Sequence, residues 1–266
     1  MNNGSNSILI VGVDSQIGGY LRTSLTQEGF VVTGSSRREV SKNVQQDDMI
    51  FIDLNLNSIE LPKKRFDAAI ICAGMNMGMC KEFPVESEKI NVKNTIKLID
   101  VLLDMGTHVI FLSSNSVFDG NKAFYKYNDA TNPTSRYGIY KQQVEEYLQT
   151  SKRNASILRL TKVLTSKTSF IAMWEKYIAE GTRFDIFKNH FLSPVSIDSV
   201  ANAVTLLINK KLSGIYQLGG DIEISYYDFS QNYFAGNSQA LGLIEPREDE
   251  NQPTGKYNSL ETYLPY

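Results

Sequence analysis

The chain has 266 residues, 42% of them hydrophobic and 21% charged, and a formal net charge of −2. That is enough chain and apolar content for a sizeable core, and the charge balance excludes a nucleic-acid or anionic-membrane partner held by bulk electrostatics. Two cysteines, Cys72 and Cys80, and two histidines fit no metal or disulfide framework. The polar start MNNGSNS is unlike a secretory leader, and no apolar run approaches the roughly 20 residues of a membrane helix, so the expected setting is soluble and cytoplasmic.

Ser7 to Val13 is an apolar, β-branched run, as expected of a strand buried on both faces of a parallel sheet. The loop from Gly12 to Gly18 follows, then a helix with Ile17, Leu21 and Leu25 at four-residue spacing, a stop at Gly29 and a second strand from Phe30 to Thr33. Strand, glycine loop, helix and strand make a mononucleotide-binding βαβ unit. Backbone groups of Gly12, Ser15, Gln16, Ile17 and Gly18 are expected to face a pyrophosphate, whose charge the helix dipole favours. Ser15 stands where a middle glycine is usual; it is small, and its hydroxyl can itself bond a phosphate oxygen. The second strand ends in Ser36, Arg37, Arg38 and Glu39. An NAD site places an acid at the strand end to accept from the ribose 2′-hydroxyl, whereas arginines fork onto a 2′-phosphate. NADP(H) is therefore expected rather than NAD(H).

Met49 to Leu54 and Asp67 to Gly74 read as the third and fourth strands. Met75 and Asn76 open a methionine-rich loop that is either a plain connection or the wall of a ligand pocket, since loops at C-terminal strand ends carry ligands in such sheets. A long helix should follow, with Val92, Ile96, Ile99 and Leu103 on one face. The fifth strand, His108 to Leu112, runs into Ser113 and Ser114. Ser135 is a suitable N-cap for a helix bearing Tyr137 and Lys141, four apart and so on one face. Free tyrosine has a pKa of about 10; a neighbouring ammonium is expected to lower it and make the phenol a usable acid or base. Ala155 to Leu160 is a sixth strand. Beyond Val163 come a helix with Trp174, a short FDIF strand, a helix opened by Ser196 or Asp198, a strand in SGIYQLGG and a helix in ISYYDFSQNYF. From Glu245 the polar tail is expected to be loosely ordered as far as LETYLPY.

Ser114, Tyr137 and Lys141 resemble the Ser–Tyr–xxx–Lys set of the short-chain dehydrogenase/reductase superfamily, and Gly12 to Gly18 is similar to its GxxGxxG loop. SSNSVFDG followed by Asp129, Pro133, Tyr137, Gly138 and Lys141 resembles the extended branch, which acts on nucleotide sugars. VFDG is most like the dTDP-4-dehydrorhamnose reductase family. This resemblance implies an α/β fold, a Rossmann-like doubly wound parallel sheet with a small α/β C-terminal substrate lobe. Residues 1–162, with 193–218 returning, would form the dinucleotide-binding core; 163–192 and 219–266 would form the lobe.

The same resemblance selects Ser114 over Ser113 and Ser116 as the active hydroxyl. It puts Asp53 and Leu54 beside the adenine, Ala73 and Gly74 against the cofactor ribose, and Lys141 on the nicotinamide ribose; Asn91 is given a structural role. Met75, Asn76, Asn115, Ser116, Lys162 and His190 are implied to face the substrate. Lys162, where relatives carry tryptophan or asparagine, either pairs with a substrate diphosphate or is simply exposed; His190 is either substrate-facing or structural. An acid at position 115 would suit a dehydratase, and Asn115 disfavours one. The implied activity is NADPH-dependent reduction of a nucleotide-linked keto-deoxysugar, with Tyr137 as proton donor. A nucleotide-sugar epimerase and a non-catalytic NADP-binding regulatory protein are the alternatives. A homodimer is compatible with the resemblance.

Overall fold

Apolar runs too continuous for a half-exposed sheet become strands covered on both faces. The computed structural model describes residues 6–38, 48–151, 153–165, 168–250 and 255–265; Glu39, at the end of the arginine stretch, lies outside the described residues. The first half contains β1 (Ser7–Val11), α1 (Gln16–Gln27), β2 (Val31–Ser36), β3 (Met49–Phe51) and β4 (Ala68–Ile71). Next come α2 (Met77–Glu82), α3 (Pro84–Glu88), a π-helical turn (Lys89–Asn94) and α4 (Thr95–Asp104). They are followed by β5 (His108–Ser114), α5 (Arg136–Ser151), β6 (Ala155–Leu160) and β7 (Lys162–Leu164). The remainder comprises α6 (Ser169–Ala179), β8 (Phe184–Phe187), β9 (Phe191–Leu192), β10 (Pro194–Ser196), α7 (Ile197–Lys210) and β11 (Gly214–Leu218). The chain then forms β12 (Ile224–Ser225), α8 (Tyr226–Tyr233), α9 (Ser238–Leu241) and β13 (Ile244–Arg247).

Seven strands form one parallel sheet in the order β11-β6-β5-β4-β1-β2-β3. This is a Rossmann-like doubly wound sheet, and its strand order reverses between β1 and β4, where such sheets open a crevice at their C-terminal ends. Alternate residues of β1 serve the two faces: Ile8 and Ile10 pack with Leu21, Leu25, Val204 and Leu207 of α1 and α7, while Leu9 and Val11 pack with Leu98, Leu102, Val144 and Leu148 of α4 and α5. Both faces being dry explains the lack of polar alternation. His108, inside this core, is held between Asn154 Oδ1 at 2.6 Å and Ser156 Oγ at 2.9 Å.

Three two-stranded pieces, β7 with β10, β9 with β12 and β8 with β13, extend the molecule beyond the sheet. Trp174, 3% exposed, centres a cluster with Phe184, Ile186 and Ile244. Among the described residues no helix is long and apolar enough to cross a membrane, and no group of three or more His, Cys, Asp or Glu side chains could hold a metal ion.

Two expectations change. The methionine-rich loop itself forms α2 and is followed by α3, and the long helix expected after it begins as a π turn that runs directly into α4; in that turn Asn94 Nδ2 donates to Leu54 O at 2.7 Å and Leu56 O at 2.8 Å. The described residues of the tail are ordered before Leu260 as well, beginning with Ile244–Arg247 in β13. Glu223 accepts from the backbone N–H of Asn258 and of Ser259, each at 2.8 Å. Ser259 and Leu260 are each only 1% exposed, and Leu260 packs on Val117, Phe118 and Tyr125. Polar residues are held here because each finds a backbone or carboxylate partner.

Candidate active site

The loop between β1 and α1 needs its first and last glycines for space. Gly12 has φ +91°, and a Cβ there would lie 2.9 Å from Ala73 Cα. A Cβ on Gly18 would lie 2.3 Å from Gly12 O. Ser15 is the N-cap of α1: its Oγ accepts from Gly18 N at 3.0 Å and donates to Gly12 O at 2.8 Å. The hydroxyl thus shapes its own loop, satisfying an orphan helix donor.

A cleft of about 300 Å³ lies over the strand-order reversal. Gly12, Ser15, Arg37, Arg38, Asp53 and Leu54 line one side, with Ala73, Gly74 and Met75 on the other. Ser36 is behind this wall; its Oγ donates to Asp14 Oδ2 at 2.6 Å and accepts from Arg38 N at 3.0 Å, fixing the turn that carries the exposed arginines. Asp14, unremarked in the sequence, also lines the cleft. Asn91 pins the end of β4, accepting from Met75 N at 2.7 Å and donating to Met75 O at 2.9 Å. Met75 is consequently in this first cleft rather than the one that holds Tyr137, and Asn76 and Met77 line the latter.

The second cleft, about 650 Å³, brings together Ser114, Asn115, Ser116, Tyr137, Lys141 and Lys162 with Gln16 and Ile17 of the α1 loop. Ser15 and Cys72 line both clefts. Burial pushes the Cys72 thiol up to about 12, leaving it inert as a nucleophile. Ser135 caps α5 as expected, its Oγ accepting from Gly138 N at 3.1 Å. A Cβ on Gly138 would lie 2.0 Å from Ser116 O, so the helix start is pressed directly onto the loop after β5.

Lys141 Nζ donates to Leu112 O at 2.8 Å and lies 4.6 Å from the Phe111 ring centroid and 5.7 Å from that of Tyr137. The expected lowering of the tyrosine pKa is not what the site does. Burial pushes the Tyr137 phenol up to about 12 and the Lys141 ammonium down to about 8. Desolvation is the largest cause for both groups, since phenolate and ammonium each lose water here.

The three serines of β5 and its loop are separated by their partners. Ser113 Oγ donates to Glu145 Oε1 at 2.5 Å, and Glu145 is paired with Arg159 at 2.7 Å in the core. Ser114 faces the cleft; its Oγ accepts from Ser116 N at 3.2 Å and lies within hydrogen-bond reach of Asn115 Oδ1 and Ser116 Oγ. Asn115 Nδ2 donates to Asn258 O at 3.0 Å and Asn258 Oδ1 at 3.2 Å. Asn258 lines the cleft as well, as do Phe191 and Tyr226; nothing in the polar tail sequence marks Asn258 out. His190 stands apart, in an adjoining hollow of about 260 Å³ that shares Asn115, Ser116 and Asn258. Its Nε2 meets Asp249 Oδ2 at 2.9 Å and its ring stacks on Phe187. Lys162 Nζ lies 5.2 Å from the Phe170 ring centroid.

Fold and site define a dinucleotide-binding α/β protein of the extended short-chain dehydrogenase/reductase type. The chain belongs to the family described as RmlD substrate binding domain, whose model it matches over residues 6–261. It is 27% identical to the bifunctional dTDP-4-dehydrorhamnose 3,5-epimerase/dTDP-4-dehydrorhamnose reductase of Arabidopsis thaliana, over 99% of this chain and 90% of that protein. It is 21% identical to methionine adenosyltransferase 2 subunit beta of Bos taurus, over 84% of this chain and 70% of that one. The crystal structure of dTDP-4-dehydrorhamnose reductase from Bacillus anthracis str. Ames in complex with NADP has the same fold, with a TM-score of 0.81 at 16% identity, covering 97% of this chain and 91% of that one.

Proposed function

We propose that the protein is an NADPH-dependent reductase of a nucleotide-linked 4-keto-6-deoxysugar. The observation that carries this reading is the convergence of Ser114, Tyr137 and Lys141 on one cleft that opens beside the α1 loop. The residues of the first cleft fit a dinucleotide. Gly12 leaves room for close backbone approach, Arg37 and Arg38 offer forks for a 2′-phosphate, and the N-terminus of α1, where Ser15 lines both clefts and Gln16 and Ile17 the second, favours a pyrophosphate between the two. Bound NADPH supplies the hydride. Tyr137, protonated at neutral pH, gives its proton to the carbonyl oxygen as that oxygen gains charge. Ser114 donates a hydrogen bond to the same oxygen. Lys141, kept close to the ring by Leu112 O, stabilises the phenolate left behind. The lobe formed by α6, β8, β9 and α8 supplies Phe191 and Tyr226 to the sugar side of the cleft. Two free thiols suit a reducing, cytoplasmic setting.

The test is NADPH oxidation across a panel of dTDP-, UDP- and GDP-linked 4-keto sugars, with turnover expected for at least one. Tight NADPH binding without turnover on any of them would replace this reading by a regulatory one, the class of the methionine adenosyltransferase subunit to which the chain is also similar.

A further inference from the structure

One carboxylate on the wall of the first cleft has no part in the reaction described above. Asp14 is exposed in the loop between β1 and α1, yet its side chain is held at the end of a different strand. The loop is stitched to β2 by Gly12 N, which donates to Ser35 Oγ at 3.1 Å, and by Val13 N, which donates to Ser35 O at 3.0 Å. Those bonds bring Asp14 beside Ser36, whose Oγ donates to Asp14 Oδ2 at 2.6 Å. A residue 22 positions earlier in the chain thus places its acid at the last residue of β2.

That position has a meaning in a dinucleotide site. A carboxylate at the end of the second strand accepts from a ribose 2′-hydroxyl, whereas arginines fork onto a 2′-phosphate. The first cleft has both, since Asp14, Arg37 and Arg38 line it together. The acid is not neutralised in advance. Among the described residues no ion pair joins it to either arginine. Arg22, which shares a shallow hollow with Asp14 outside the cleft, is paired with Asp48. Ser36 engages one carboxylate oxygen, Oδ2, and leaves Oδ1 for a ligand.

We propose that Asp14 is a second reader of the cofactor's 2′ position, opposed in sign to Arg37 and Arg38. Its carboxylate accepts from the 2′-hydroxyl of NADH and repels the 2′-phosphate of NADPH, and so holds down the preference that the arginines create. This rests on the reading of the first cleft as the cofactor site. A 2′-phosphate carries about −1.5 to −2 charges at neutral pH; two guanidinium groups balance it, and Asp14 adds a negative charge in excess. The Ser36 hydroxyl that donates to Asp14 also accepts from Arg38 N at 3.0 Å, so one oxygen sets the acid and the arginine turn side by side.

The experiment titrates the unaltered protein, Asp14→Asn and Asp14→Ala with NADPH and, separately, NADH, followed by nucleotide fluorescence. Asparagine keeps an oxygen for Ser36 and loses only the charge. Asp14→Asn should tighten NADPH and weaken NADH, moving the ratio of the two affinities toward NADPH by about tenfold. The gain for NADPH should shrink as salt is raised, because the carboxylate is exposed. Asp14→Ala, which also drops the tie to Ser36, should move the ratio the same way. Opposite shifts in the two variants would show that the tie matters and the charge does not, and would overturn the assignment. An unchanged ratio in Asp14→Asn would overturn it too, whether both affinities are kept or both fall equally, and would leave the cofactor site itself standing. If neither dinucleotide binds the unaltered protein, the first cleft is not a cofactor site, and the role of Asp14 falls with it.

Discussion

Tyr137 and Lys141 are displaced in opposite directions by one cause. Loss of water penalises whichever form is charged, so the phenol holds its proton up to about 12 and the ammonium gives its proton up near 8. For a reductase the first is an advantage, since the donor must enter the reaction protonated. The second sets a limit: Lys141 is charged below about 8 and neutral above it, while Tyr137 remains protonated across that range. Reductive kcat/KM should be level near neutrality and fall as pH rises past about 8, which a pH–rate profile with NADPH checks. Tyr137→Phe should cut kcat by about a hundredfold or more while sparing NADPH binding, measured by fluorescence titration. Arg37→Ala combined with Arg38→Ala should weaken NADPH by roughly tenfold and leave NADH almost untouched; an unchanged preference would mean that these arginines do not reach the 2′-phosphate. The identities of these residues were legible because four-residue spacing and strand-end position are local properties. The order of the two pKa values was not, because desolvation depends on what packs around the pair.

Helix α5 has a second function beyond presenting Tyr137 and Lys141. Glu145, one turn further on, accepts from Ser113 and from Arg159 of β6, and both ionic side chains are almost fully buried. Arg159 also donates to Gln217 Oε1 at 3.2 Å and Tyr127 O at 3.1 Å. Helix, β5, β6 and β11 are thus locked together directly behind the reacting groups. Arg159→Met would strand the Glu145 charge in the core and should cost about 3–5 kcal/mol in urea denaturation; a loss within experimental error would mean that the pair is dispensable. The glycine loop, α1 and α5 were readable as elements because cap, spacing and apolar stripe agree within each. The π turn was not: Asn91 and Asn94 take their partners 16 and 40 residues away, and no local pattern encodes such distances.

Across the whole molecule, the sheet was legible and the tail was not. Continuous apolar runs announce a doubly covered parallel sheet, but residues 255–259, just before the LETYLPY end, owe their order to distant groups. Gln217 exchanges two backbone hydrogen bonds with Tyr263, and Gly255 lies so close that a Cβ on it would be 2.1 Å from Asp119 O. Leu260→Ala should cost about 2–3 kcal/mol and raise KM for the sugar nucleotide through the loosened Asn258. NADPH affinity should stay unchanged, since no described tail residue lines the first cleft; equal damage to both ligands would show that the tail supports the whole fold instead. Asn258 meets Asn115 across 143 residues of chain, and that separation gives the two clefts different histories. Among the described residues, the lining of the first is drawn from residues 12–90, whereas the second waits for residue 258. On a ribosome, where chains emerge N-terminus first, the lining of the first cleft is synthesised before Tyr137 and Lys141, and all of these before Asn258 closes the second cleft. The substrate side of the site is therefore the part that depends on the last-made stretch of the chain.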